Sequence, residues 1–324
     1  MLRGLCRQYY EYNKRMHIPD GFLSPPVWAS LDAVAIPAVA WSARRSQTTL
    51  GNASSGGLHA VPLLGVMGAF VFAAQMINFP AGPATSSHLL GGALLAITLG
   101  PAAASLVMTA VVILQALIFQ DGGVIALGGN VCNMAIAGVL GGYLPYRLWG
   151  KGPARGVAIF AGGFLSVVAA AALALAELAI SGVRIPVHLL WISSSVFLIS
   201  GVVEGAITVA AVGAIDRLRA GRLRTHESPV SARPRTAAAL GFGALILLIA
   251  GAVVVSAAPD GIERIAGAVG IHGKLPVWRA PMADYRIAAL GAGWQAKISA
   301  GLAGLVIIFG ACALAGKWIE RRSA

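Results

Sequence analysis

Nine apolar stretches, at about residues 27–43, 60–77, 86–99, 102–119, 123–146, 156–181, 190–216, 236–257 and 298–316, occupy most of this chain. A bilayer's hydrocarbon core is about 30 Å thick, and at 1.5 Å per residue a helix crosses it in about 20 residues. Backbone inside hydrocarbon has no water to bond, so spanning segments must satisfy their own N–H and C=O groups, and the stretches are expected as helices. Only 11% of the 324 residues are charged, against roughly a quarter in soluble domains. Soluble folds are thereby excluded, and the expected class is an all-α polytopic membrane protein. The third stretch is short, with only Gly100 and Pro101 parting it from the fourth, so a tight turn and a tilted half-helix both remain open there.

A formal net charge of +12 would suit a nucleic-acid binder if it lay on one amphipathic face. Here the Lys and Arg residues fall between the apolar stretches, where they read as topology signals, and no nucleic-acid partner is expected. With the residues before Val27 placed outside, fourteen of the 24 basic residues fall inside and six outside. The remaining four, Arg3, Arg7, Lys14 and Arg15, oppose the trend. The expectation is nine spans in a bacterial-type cytoplasmic membrane, with a cytoplasmic C-terminus and the loop after Pro259 extracytoplasmic. Residues 1–15 hold no apolar core of a secretory signal. Cys6, Cys132 and Cys312 share no metal-type spacing and give no disulfide framework.

The stretch Arg217 to Arg235, RLRAGRLRTHESPVSARPR, is polar, basic and interrupted by two prolines, the composition of a linker. The expected division is an N-terminal extension (1–15), a seven-helix membrane domain (16–217), a cytoplasmic linker (218–235) and a two-helix unit with an extracytoplasmic segment (236–324). Small residues recur within the helices, as in GGALLA and LAGLVIIFGACALAG, and allow close backbone approach in a bundle.

With this topology the polar residues gather at the outward ends of helices. His17 and His88 lie there with Asn78, Thr85, Ser86, Ser87, Gln120, Asp121, Asn130 and Asn133. These groups either cap helices and satisfy loop backbone or surround a late first-row divalent ion, for which two imidazoles are a minimal start. Asp20 and Asp121 do not discriminate among metals. Of the ionisable residues inside apolar stretches, Asp32 and Glu177 are expected to reach the interface. Glu204, deeper, faces either a packed interior or a partner. His59 and His188 read as interfacial anchors, His226 lies in the linker and His272 in the outer tail. GIHGK, ending at Lys274, lacks the first Gly of a phosphate-binding loop and has Leu275 where Ser or Thr is required, so no nucleotide site is expected. PDGIE opens at Asp260 as an N-cap with Glu263 three residues on.

Three blocks, MHIPDGFLSPPVW (Met16–Trp28), PLLGVMGAFVFAAQMINFPAGPATSSHLLGGALLA (Pro62–Ala96) and LIFQDGGVIALGGNVCNMAIAGVLGGY (Leu117–Tyr143), resemble the substrate-binding component of cobalt and nickel energy-coupling-factor transporters, CbiM or NikM. The tail block PDGIERIAGAVG (Pro259–Gly270) resembles a PDGLE-type partner subunit, here fused. The resemblance implies that Ni2+ or Co2+ is held as transported substrate by the amine of an initiator Met, by the next residue's amide nitrogen and imidazole, and by a second His. In this chain those are Met16, His17 and His88, with Asn78, Thr85, Ser86, Gln120, Asp121, Asn130 and Asn133 around them. Fused chelate rings closed by a second imidazole form a planar nitrogen set that suits Ni(II) or Cu(II) better than Mg, Ca or Zn. The resemblance further implies a membrane coupling (T) subunit and cytoplasmic ATPase (A) subunits as partners, with no organic cofactor. An internal Met has no free amine, so the functional chain is expected to begin at Met16. The rivals are weaker. A secondary transporter for an organic solute would show an internal repeat with broken helices, and an intramembrane hydrolase needs a nucleophile with a base, or a metal pair, at membrane depth.

Overall fold

The computed structural model describes residues 17–53, 60–82, 85–220, 234–254, 277–291 and 293–321. The initial segment 1–16, His59, most of the linker with His226, and 255–276 with the PDGIE turn and His272 lie outside the described residues. Each apolar stretch forms a helix: α1 (Pro25–Ala53), α2 (Ala60–Gln75), α3 (Gly92–Leu99), α4 (Pro101–Ile118), α5 (Leu127–Trp149), α6 (Arg155–Ile180), α7 (Val187–Ala220), α8 (Pro234–Val254) and α9 (Trp294–Arg321). A two-stranded antiparallel ribbon, β1 (Asn78–Gly82) and β2 (Thr85–His88), joins α2 to α3. Two 3-10 turns, Ala283–Tyr285 and Ala288–Leu290, precede α9.

Six of the helices, α1, α4, α5, α6, α7 and α9, are long and apolar enough to cross a membrane. The expectation of nine full spans fails at α3. Eight residues rise only about 12 Å, and the chain there is completed by the ribbon and by Leu89 and Leu90, which belong to no helix or strand. Gln75 Nε2 donates to the Leu90 carbonyl at 2.7 Å and Gln115 Nε2 to Gln75 Oε1 at 3.0 Å, which puts Leu90 about one turn below the end of α4. At its other end α3 turns straight into α4 through Gly100, at φ 82°. A half-helix and a tight turn therefore both occur here.

Trp41, Val157, Ile180, Trp191, Phe242 and Val306 stand exposed around the bundle, the lipid-facing surface of an all-α polytopic membrane protein. Because lipid is as apolar as Leu, the helices are held by close packing rather than by hydrophobic transfer. At Gly163 on α6 an added Cβ would sit 2.6 Å from the Gly205 Cα on α7, so the helices approach this closely only because residue 163 is glycine. The core runs without a break from Met67, Phe72, Leu95, Met108 and Ala135 to Leu248, Ala300, Ile308 and Cys312. The C-terminal helices α8 and α9 thus pack directly on α2. At the end remote from the ribbon, Arg155 pairs with Asp216 at 2.7 Å, half-exposed, a contact of below about 1 kcal/mol.

Candidate metal centre

Residues 17–23 form a short N-terminal segment over the loop between α4 and α5. Beneath it Ile18, Phe22 and Leu23 pack on Ala126, Ala174 and Leu178. The polar side is a set of reciprocal bonds. Asn130 Oδ1 accepts the Ile18 N–H and its Nδ2 donates to the Ile18 carbonyl, both at 3.0 Å. The Gly123 N–H donates to that same carbonyl at 2.9 Å, and Asp20 Oδ1 accepts the Ile125 N–H at 2.8 Å. Gly122 sits at φ 100°, and a Cβ there would lie 3.0 Å from the His17 Cβ. Glycine is needed at that position for both reasons.

This clamp fixes His17, which is 3% exposed. Its Nδ1 lies 3.1 Å from Asp121 Oδ1. A carboxylate oxygen only accepts, so Nδ1 carries the proton of that bond. Nε2 is buried without a hydrogen-bond partner. His88, at the end of β2 and opposite Asn78 in the ribbon register, donates from Nδ1 to the Leu89 carbonyl at 2.9 Å. The two rings lie 5.9 Å apart, centroid to centroid, with 25° between their planes. Residues 71 positions apart in sequence thus bring their imidazoles together.

The surrounding polar residues divide. Asp121 touches His17, Asn130 holds the neighbouring peptide, and Thr85 and Ser86 are buried on β2 beside His88. Gln120 turns away: at φ 60° its Nε2 donates to the Trp278 carbonyl at 2.7 Å. Asn133 also turns away, one turn further along α5, where its Nδ2 donates to Glu177 Oε2 at 3.0 Å. Glu177 does not reach the interface as expected. It is 3% exposed, because its face of α6 closes against Asn133 and Gly129. Glu204 faces a packed interior, its two oxygens accepting the Leu90 and Gly91 N–H groups. His188 is exposed at the start of α7. Between Asn130 and Asn133 the helix passes into a π-helical segment, Val131–Gly138, a widened turn that recurs at functional sites.

Tyr285, which no motif singles out, donates its hydroxyl to Asp121 Oδ2 at 2.6 Å. Burial foremost, then the Asp121 charge and the bond to it, push this phenol well above its ordinary value of 10.0. Among the described residues no three His, Cys, Asp or Glu side chains form a group able to hold a metal ion. Two imidazoles and one carboxylate engaged on both oxygens are too few donors to hold an ion tightly by themselves.

A family model described as a cobalt uptake substrate-specific transmembrane region, CbiM, matches residues 17–221. A chain of Archaeoglobus fulgidus named for fused nickel transport, NikMN, is 32% identical over 300 residues, covering 90% of this chain and 95% of that one. The fused nickel transport protein NikMN of Rhodobacter capsulatus is 28% identical, over 83% of this chain and 88% of its own length. A crystal structure of a truncated transition metal transporter superposes with a TM-score of 0.53 at 32% identity, covering 63% of this chain and 99% of that one.

Proposed function

The chain belongs to the cobalt-uptake substrate-specific transmembrane family, and from that premise we propose that it captures Ni2+, or Co2+, outside the cytoplasmic membrane and delivers it inward. In this reading it is the substrate-specific component of an ATP-driven energy-coupling-factor transporter. A membrane coupling subunit and cytoplasmic ATPases supply the work, and the chain itself hydrolyses nothing. The observation that carries the reading is the pair of imidazoles, His17 and His88, brought to 5.9 Å at one end of the bundle.

The ion is cargo, so its ligands must bind and then let go. Late first-row divalent ions accept imidazole nitrogen, and a planar nitrogen set favours Ni(II) by geometry. The proposed ligands are the Met16 amine, the His17 amide nitrogen and imidazole, and the His88 imidazole. The amide nitrogen and imidazole of one residue close a chelate ring only through Nδ1, so the ion takes the place of the proton there and displaces the Asp121 carboxylate now 3.1 Å from that atom.

The test is elemental analysis and Ni2+ titration of two purified forms, one beginning at Met16 and one with all 324 residues. The Met16 form is expected to bind tightly and the longer form weakly. His17→Ala and His88→Ala should each abolish tight binding, while His59→Ala and His188→Ala bind as the parent does. Equal loss in all four variants would point to folding rather than ligation. Equal affinity and the same absorption spectrum in the two lengths would falsify the amine ligand.

A further inference from the structure

The loop that leaves α4 serves two neighbours, one on each side. On the inner side the Gly123 N–H donates to the Ile18 carbonyl at 2.9 Å, and Gly122 leaves room for the His17 Cβ. On the outer side the segment before α9 lies along the end of α4, whose last carbonyls no residue of that helix can satisfy. The Trp278 Nε1–H donates to the Leu117 carbonyl at 2.7 Å, the Met282 N–H to that of Ile118 at 2.9 Å and the Asp284 N–H to that of Phe119 at 3.1 Å. Gln120 completes this edge. Its Nε2 donates to the Trp278 carbonyl at 2.7 Å and its Oε1 accepts the Ala280 N–H at 3.4 Å, so one side-chain amide bridges two backbone groups of the segment. Gln120 also sits at φ 60°, a left-handed backbone that a residue other than glycine keeps only where its surroundings over-determine it. The bridge supplies that restraint from one side, and the Asp121 N–H bond to the Gln115 carbonyl, at 3.0 Å, from the other.

We propose that Gln120 is a positioning residue of the metal site, and that through it the docking of the segment before α9 and the capture of the ion support one another. Gln120 touches no proposed ligand. It fixes the start of the loop, and the loop presents the Gly123 N–H to Ile18, the residue immediately after the His17 chelate. The sign follows from what the ion replaces. In the ion-free chain, residues 120–123 are tied to the N-terminal segment at two places, Gly123 to Ile18 and Asp121 to His17. When the ion takes Nδ1 the second tie is lost. Asp121 keeps its other bond, to the Tyr285 hydroxyl at 2.6 Å, so residues 120 and 121 then lean on the segment before α9. Removing the Gln120 bridge therefore costs the ion-bound chain more than the ion-free one, and ion and segment raise each other's hold by the same factor. This rests on the reading that His17 chelates the cargo through its amide nitrogen and Nδ1. Coupling between two sites typically amounts to about 5- to 150-fold in affinity.

The test titrates Ni2+ alone into the purified chain, in whichever of the two N-terminal lengths binds it, and follows amide hydrogen exchange over residues 278–285 with and without the ion. In the parent, Ni2+ should slow exchange at the Met282 and Asp284 amides about fivefold or more. Gln120→Asn keeps a residue that tolerates left-handed backbone but is one methylene too short for the bridge. Its affinity for Ni2+ should fall about fivefold or more, with the parent's ligand-field band because no ligand is removed, and exchange over 278–285 should no longer answer to the ion. Arg279→Ala, at an exposed position on the same segment, should bind as the parent does. A parent whose exchange over 278–285 is indifferent to Ni2+ overturns the inference, and that measurement needs no variant to fold. A Gln120→Asn chain with the parent's affinity overturns it too, as does one with a shifted band, since a ligand would have moved. Equal losses in Gln120→Asn and Arg279→Ala overturn it as well. A parent that binds neither Ni2+ nor Co2+ in either length removes the functional reading and this inference together, whereas tight binding with unchanged exchange removes the inference alone.

Discussion

Glu204 lies on α7, 2% exposed, and accepts the Leu90 N–H at 2.9 Å and the Gly91 N–H at 2.7 Å, one on each oxygen. These donors belong to the bend between β2 and α3, where a helix start leaves N–H groups unpaired and favours a negative charge. The bend follows His88 by two residues, so Glu204 holds the backbone just beyond the second imidazole. Glu204→Gln turns an amide N–H toward one of those donors and should cost about 1–3 kcal/mol. The expected readings are a lower melting temperature in detergent and weaker Ni2+ binding, and a Glu204→Ala chain melting with the parent would refute the role. At Tyr285 the neutral phenol is the form the fold favours, so its stabilising bond is present below the ordinary tyrosine value of 10.0 and is lost as pH rises through the raised one. Alkaline difference spectra of parent against Tyr285→Phe should show tyrosinate appearing only above pH 10. Titration of that difference at or below the ordinary value contradicts the buried placement. His17, His88 and Asp121 were legible in sequence because polar residues at the ends of apolar stretches stand out. Tyr285 was not, since its bond to Asp121 spans 164 positions and leaves no local pattern.

The helices were legible for the same reason that soluble folds were excluded: uninterrupted apolar length has few solutions in lipid. The ribbon and the shortness of α3 were not. NFPAG and TSSH carry no two-residue alternation, and Leu89 and Leu90 run directly into GGALLA, so one apolar stretch hides a strand, a bend and a half-helix. The π-helical Val131–Gly138 leaves no mark in composition either. The small residues were legible as packing positions but not as particular partners. Gly163→Val, whose Cβ alone would sit 2.6 Å from the Gly205 Cα, should destabilise by about 1–3 kcal/mol or splay α6 from α7. A melting temperature equal to the parent's would show that the two helices are not held at that contact.

The basic linker reads in sequence as a boundary between a seven-helix and a two-helix unit, yet Leu248, Ala300, Ile308 and Cys312 enter the same core as Met67 and Phe72. Composition reports where a chain is polar, not which apolar faces meet. A protease site inserted between residues 221 and 233 should therefore yield two fragments that co-purify in detergent, whereas their separation would contradict the shared core. Orientation is open to labelling of single cysteines in intact cells. Ser24 and Arg279, at the His17 end, should react from outside, and Lys151, at the other end, should not. The reverse pattern inverts the proposed direction of capture. The line from Tyr285 through Asp121 to His17 also has a consequence in time. The ribosome releases His17 and Asp121 long before Tyr285, so a nascent or prematurely ended chain has no hydroxyl for the second oxygen of Asp121. The hydrogen-bonded arrangement around His17 is therefore completed only after the segment before α9 has been made and has docked on the end of α4.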